Sequence, residues 1–439
     1  MKIGGWGNYP VATTDLCSAY TPDAMRALLA GDRAILARGA GRSYGDAGIG
    51  IDRTVELTRL DRFIAFDETS GLLTVEAGVM LSDIIATLLP RGFFPPVVPG
   101  TQFVTVGGMI ASHVHGKNHH RDGAFGRYVE NMRLALADGS VLDCSKSTNE
   151  ALFRATIGGM GLTGIILTAS FRMRRVETGL MRQETLVATD LDEIIKHCEA
   201  SRDWPYTVAW IDGLARGSKL GRGLVFRGDH ASCNESEPGR KTLERRHRPQ
   251  KAIPFFFPEG VLNRLTVKAF NEVYYRQGAS NRANFVDWEH YFFPLDAVSE
   301  WNRVYGTRGF IQHQCVIPKS RSRDALGMLL ERVSQQGNPS FLAVLKLLGP
   351  DDDGLLGFPM EGYTLAIDFP ADTKSLALAD ELDQIVVAYG GRNYLAKDAR
   401  QSRSTFESGY LNLGAFRELR RATGAKRKFS SYQSERLGL

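Results

Sequence analysis

The sequence holds no run approaching the roughly 18 apolar residues that a membrane-spanning helix needs. Its opening stretch, Met1 to Pro10, has no apolar segment of the secretory kind, so the cytoplasm is the expected compartment. Cysteine is scarce and scattered: Cys17, Cys144, Cys198, Cys233 and Cys315 form no C-x-x-C pair. That excludes zinc and iron–sulfur spacings and leaves free thiols in a reducing compartment as the expectation. A strong charge of one sign is lacking too, since 54 Lys and Arg face 49 Asp and Glu, for a net +5. Without an RNA-binding motif, so small an excess does not suggest a nucleic-acid partner. It does suit a phosphate-bearing ligand or an anionic membrane surface. The glycine spacing after Arg38 is not G-x-G-x-x-G, so no nicotinamide is implied there, and no internal repeat or low-complexity tract is seen.

Glycine, by contrast, is plentiful, at 46 residues against 17 prolines. With 43% apolar and 23% charged residues, 439 residues suit a two-domain α/β or α+β enzyme. Thr21-Pro22 opens a helix with Met25, Leu28 and Leu29 on its apolar face. Strands are expected at Ala34–Ala37, Phe63–Phe66, Leu72–Val75 and Gly164–Met173, and a helix at Met80–Leu89. Asp138-Gly139 marks a hairpin between Leu134–Ala137 and Val141–Cys144. From Glu177 the glycine-rich turns thin out. Helices such as Leu191–Ala200 then alternate with aromatic-rich strands such as Tyr206–Asp212 and Phe310–Ile317. A first domain over 1–176 and a second over 177–391 follow from this change.

Three glycine clusters fall in the first domain. Arg38-Gly39-Ala40-Gly41-Arg42-Ser43-Tyr44-Gly45-Asp46 follows a strand, and its glycines let backbone N–H groups converge on a pyrophosphate. Gly100 and Thr105-Val106-Gly107-Gly108 form a second, and Gly158 to Gly164 a third. Together they describe a groove in which backbone wraps an extended dinucleotide. Four histidines, His113, His115, His119 and His120, sit close together, but Lys117 lies among them and no carboxylate intervenes. No metal is expected there.

On this layout the chain resembles the FAD-binding superfamily of vanillyl-alcohol oxidase and p-cresol methylhydroxylase (the PCMH type). Within it the chain is similar to the oxidases of decaprenylphosphoryl ribose. RGAGRSYGD (38–46), VPGTQFVTVGG (98–108), HGKNHH (115–120), GLTGII (161–166), KLGR (219–222), EWNRVYG (300–306), GFIQHQCVIP (309–318), LKLLGP (345–350) and YLAKDAR (394–400) carry the likeness in order along the chain. The resemblance implies an α+β, two-domain vanillyl-alcohol-oxidase-type fold with a sheet-based substrate domain, and a segment over 392–439 that returns to the FAD domain. It implies an FAD-dependent oxidoreductase acting on CH–OH groups. The reaction would oxidise the 2-hydroxyl of a polyprenyl-phosphate ribose, the first half of an epimerisation to arabinose for cell-wall arabinan. An NAD(P)H-dependent keto-sugar reductase would complete it. The alternatives are an alditol or sugar-lactone oxidase using oxygen, or a non-catalytic FAD-binding subunit.

The same likeness assigns Leu36, Ala37, residues 38–46, Gly100, Thr105, Val106, Gly107, Gly108, Ser112, His113, Val114, His115, Ile166 and Tyr394 to the FAD. It assigns Tyr44, His115, Lys117, Trp210, Gln312, Gln314, Lys346 and Lys397 to the substrate pocket. Lys397 would stabilise negative charge on the reduced flavin. His115 would act as base, with Tyr44 and Lys117 in the relay. Gln312, Gln314 and Lys346 would bind sugar hydroxyls and phosphate, and Trp210 would wall the pocket. Many relatives carry a flavin-linking histidine where this chain has Arg42, so the FAD should be non-covalent. A cysteine of the ribose oxidases is matched by Ala366.

Peripheral membrane contact is also expected. Arg240, Lys241, Arg245, Arg246, Arg248 and Lys251 precede Ile253-Pro254-Phe255-Phe256-Phe257-Pro258, a basic segment beside an aromatic wedge.

Overall fold

The first helix, α1 (Pro22–Ala30), starts where the Thr21 hydroxyl accepts from the Ala24 N–H at 3.1 Å, with Pro22 in a position that has no N–H to offer. It buries Met25 and Leu29 against a small parallel sheet of β1 (Asp15–Ser18), β2 (Ile35–Arg38) and β3 (Arg53–Glu56), with β3 in the middle. The computed structural model describes residues 1–235, 243, 251–258, 260–280, 282–336, 341–351 and 353–439. An antiparallel sheet follows, built from β4 (Phe63–Asp67), β5 (Leu72–Glu76), β6 (Val129–Ala135), β7 (Val141–Ser145) and β8 (Ile165–Arg172) in the order β7-β6-β8-β5-β4. The hairpin stands where Asp138-Gly139 predicts it, with Ala135 opposite Val141 and Gly139 at φ +84°. Helix α2 (Leu81–Leu88) ends at a single tight turn over Leu89–Arg91 rather than running on, because Pro90 cannot extend it.

From Leu180 the chain builds a different object. Strands β9 (Leu180–Ala188), β10 (Tyr206–Ile211), β11 (Gly223–His230), β12 (Ala283–Asp287), β13 (Phe310–Pro318), β14 (Ala343–Leu348), β15 (Gly362–Pro370) and β16 (Arg392–Asn393) form one antiparallel sheet. Its order is β12-β9-β11-β10-β14-β15-β13-β16. One face carries Ala209, Val225, Leu345, Leu365 and Ile367, packed under helices Leu191–Ala200, Ser322–Gln336 and Thr373–Ala388. The side chains at the alternate positions point the other way, towards the glycine-rich half.

The chain leaves the large sheet only after Asn393, since Arg392–Asn393 still pairs with β13. It then crosses back. Phe429 bridges to Ile35 and Ser431 to Gly50, while Phe406, Phe416 and Leu437 join Leu36, Leu162, Val316 and Leu348 in one buried cluster. Arg436 clamps the junction, reaching Asp46 at 2.8 Å and Asp398 at 2.9 Å.

Candidate active site

A cavity of about 860 Å³ lies between the two halves. One wall is backbone. Residues 37–45 line it, and the N–H groups of Ala40, Gly41, Arg42 and Ser43 hydrogen-bond to none of the described residues. Gly41 sits at φ +64°, a conformation that a side chain resists. At Gly39 a Cβ would come within 2.2 Å of the Thr105 hydroxyl, and at Gly45 within 2.2 Å of the Asp398 carbonyl. Gly100, by contrast, faces open space. Unspent donors turned into a groove suit a pyrophosphate, and the narrow loops fit an extended dinucleotide such as FAD. Arg42 lays its guanidinium 4.3 Å from the centre of the Trp6 ring, and it offers no atom for a histidyl-type flavin bond.

The opposite wall is side chain. Gln312 and Gln314 on β13, Lys346 on β14, Trp210 on β10 and Ala366 on β15 share the cavity face, and Tyr394 and Lys397 enter from the returning segment. The three lysines of the cavity make no ion pair among the described residues. Lys117 donates to the Tyr291 carbonyl and lies 4.4 Å from that residue's ring centre. Burial lowers Lys117 to about 7, with Lys346 adding repulsion, and burial alone lowers Lys346 to about 8. Lys397 rests 3.5 Å above the centre of the Tyr44 ring. Burial lowers it as well, while the Asp368 carboxylate pulls it back up. Of the three, only Lys397 has a carboxylate near it, and half-buried cations short of carboxylates are costly unless an anion joins them. The cavity is therefore built to receive negative charge.

Asp368 does not itself line the cavity but holds Gln312 from behind its wall, and the motifs of the sequence do not single it out. It is fully buried, accepts from Gln312 Nε2 at 2.5 Å, and lies two residues beyond Ala366 on the same face of β15. Burial raises its carboxyl, against the pull of Gln312 and Lys397. The period of two along Tyr363-Thr364-Leu365-Ala366-Ile367-Asp368 was the available signal. Trp6 and Trp301 do line the cavity; Trp301 stands in the EWNRVYG motif without a role assigned to it there, and Trp6 left no signal.

Not every expected residue arrives. Leu36 points into the buried core behind β2, and Asp46 is held by Arg436. Val106 is buried on the inner side of the short helix Val106–Ala111. His113 pairs with Asp351 at 3.0 Å, the carboxylate that also meets His119 at 3.1 Å. None of these four lines the cavity. His115 does, but its surroundings argue against a base. Gln314 Nε2 donates to its Nε2 at 3.0 Å, and Phe358 and Tyr394 crowd its ring. Burial, then Lys346, the two neighbouring histidines and Lys397, push its pKa well below the ordinary value. The ring in its neutral form accepts from Gln314. Tyr394 hydroxyl donates to the Ser112 carbonyl at 2.7 Å, tying the late segment to the glycine-rich half. The remaining expected positions, namely Thr105, Gly107, Gly108, Ser112, Val114 and Ile166, lie on the cavity wall.

Residues 21–145 match the family model of an FAD binding domain. Over its whole length the chain is 35% identical to the decaprenylphosphoryl-beta-D-ribose oxidase of Mycolicibacterium smegmatis, covering 97% of that protein. It is 36% identical, over 82% of its length, to an uncharacterized protein in the mprA 5' region of Streptomyces coelicolor, all of which is covered. Its likeness to the L-gulonolactone oxidase of Mus musculus, at 30% identity, extends over 37% of the chain and 38% of that enzyme.

Proposed function

The chain belongs to the decaprenylphosphoryl-beta-D-ribose oxidase family of FAD-dependent oxidoreductases, and from that premise we propose that it oxidises the 2-hydroxyl of a polyprenyl-phosphate ribose to the 2-keto sugar. The observation that carries the reading is the set of three half-buried lysines without ion pairs among the described residues, beside two buried amides, in one cavity. Lys117 and Lys346 neutralise the phosphate. Gln312 and Gln314 hold sugar hydroxyls, their amides oriented by Asp368 and His115 respectively. Bound FAD supplies the acceptor for the hydride that leaves the sugar carbon. Lys397, held over Tyr44, places positive charge where electrons arrive. Burial raises Tyr44 well above its ordinary value, so its phenol stays protonated and serves as a donor. With no histidine at position 42, the FAD is bound without a covalent link and leaves the protein on acid precipitation.

A lactone or polyol oxidase is the weaker reading. The likeness to L-gulonolactone oxidase stops at about a third of the chain, whereas the ribose oxidase is matched throughout. Anaerobic bleaching of the flavin separates the two. Prenyl-phosphoryl ribose should bleach it and free polyols or lactones should not; the reverse pattern overturns the assignment, and a flavin that no sugar bleaches would leave only a binding subunit.

The keto sugar then goes to a separate NAD(P)H-dependent reductase, which gives the arabinose epimer. No helix of the described residues is long and apolar enough to cross a membrane; the proposed meeting place with a lipid-linked substrate is the surface of the bilayer. Most of the basic segment 240–251 lies outside the described residues. Beyond it, Phe255 and Phe256 are exposed. Sedimentation with acidic vesicles, lost at high salt, is the expected sign of this contact.

A further inference from the structure

The cavity face of the large sheet changes in character from strand to strand. Pairing sets Gln314 opposite Ala366, Ala366 opposite Val344, Val344 opposite Trp210, and Trp210 opposite Leu224. Directly opposed residues share a face, so these five make one row across β13, β15, β14, β10 and β11. Four strand spacings give that row a length of about 19 Å. The β13–β15 end carries Gln312, Gln314 and Asp368, and β14 carries Lys346. Beyond Val344 the floor is Trp210, Val208 and Phe226, with no charged group among them and Gln183 of β9 as the one polar side chain at its far edge.

The helix Arg264–Ser280 covers that apolar end. It presses so closely on β11 that a Cβ on Gly278 would lie 2.2 Å from Leu224. The Tyr274 ring stands 4.9 Å from Trp210, Phe270 stands 5.8 Å from Tyr274, and Phe270 stands 5.9 Å from Phe341. Phe270 and Tyr274 line the cavity on one side, yet they are 46% and 36% exposed. On the same helix Val273 and Leu265 are exposed at 55% and 79%. An apolar passage thus runs from Lys346 to an apolar stripe at the protein surface.

We propose that the limb under Arg264–Ser280 binds the isoprenoid chain of the substrate, leaving the phosphate at Lys117 and Lys346 and the sugar towards Lys397. The proposal rests on the ribose oxidase reading and extends it. A free polyol has no group to fill a passage walled by Trp210, Phe226, Phe270 and Phe341. A branched hydrocarbon has nothing else, and the order of polar, cationic and apolar groups along the floor matches the order of sugar, phosphate and lipid in such a molecule.

The test uses the holoenzyme with a ladder of dimethylallyl, geranyl, farnesyl and geranylgeranyl phosphates, each with and without ribose. For the ribosides, kcat/KM of anaerobic flavin bleaching should rise at least about tenfold from dimethylallyl to geranylgeranyl. In Phe270→Asp that ratio should collapse towards one, and in Phe270→Ala it should fall less, with flavin absorbance confirming that both variants are folded. The sugar-free phosphates should change tryptophan emission, to which Trp210 contributes, with affinity that also climbs with chain length. Equal kcat/KM along the riboside ladder, or a ratio that Phe270→Asp leaves intact, overturns the limb while the oxidase reading stands. Bleaching by no riboside, with sugar-free phosphates still bound more tightly as they lengthen, keeps the limb and removes the ribose.

Discussion

Along residues 37–45 the cavity wall is main chain, whereas across β13, β14 and β15 it is side chain, and the two walls respond to mutation by different physics. The first works by having nothing there: close approach at Gly39 and Gly45 leaves no room for a Cβ, and the peptide N–H groups do the binding. The second works by what projects from it, namely amides and ammonium groups over a rigid ladder. A backbone wall tolerates no added atom at its close approaches, and of its side chains only Tyr44 enters the chemistry. A side-chain wall tolerates changes of bulk at many places and fails when one charge is removed.

The largest effect should come from Gly45→Ala. Its Cβ would lie 2.2 Å from a carbonyl oxygen and 2.6 Å from the Ala399 Cα, neither of which can swing aside. An overpacking cost of about 3 kcal/mol, some hundredfold in FAD affinity, is expected from flavin-release titration. Retention of FAD at the parent affinity would break the contrast at its root. Lys397→Ala should instead keep FAD and slow flavin reduction at least about tenfold in stopped-flow, the scale of one transition-state charge contact.

Asp368→Asn sharpens the side-chain account further. The carboxylate raises the pKa of Lys397, so removing it lowers that pKa, and the ammonium is lost at a lower pH. The groups facing Lys397 include the Tyr44 ring and the Lys346 cation; neither restores the lost attraction. The alkaline limb of the pH–rate profile should therefore move to lower pH while FAD stays bound. A profile that does not move would leave Asp368 as packing only. The smallest effect is expected at Gly100→Ala, where no atom lies within 4 Å of the added Cβ: FAD affinity should stay within about twofold.

The backbone wall was legible in the sequence because close approach demands glycine, and glycine spacing survives as a pattern in the chain. The side-chain wall was legible chiefly through likeness to relatives. A lone Lys346 or Lys397 carries no local mark, and only the pairing of distant strands puts them together. Where the expectation failed, a long-range partner was the reason. Asp46 meets Arg436 and His113 meets Asp351, each too far along the chain for spacing to reveal. Leu36 and Val106 failed through direction, since their neighbours Ala37 and Gly107 face the cavity and they face the core. His115 reaches the cavity as expected, but burial among cations takes away the basicity that its residue type promised.

The clamp of Arg436 on Asp46 and Asp398, with the Tyr44 N–H bound to the Ala396 carbonyl at 2.9 Å, has a consequence in time. On the ribosome the pyrophosphate loop emerges early, but the residues that lock it appear some hundreds of residues later. Until then the loop lacks the partners that Ala396, Asp398 and Arg436 supply. Capture of the cofactor should therefore await the residues around 398 and 436 that hold the loop in place.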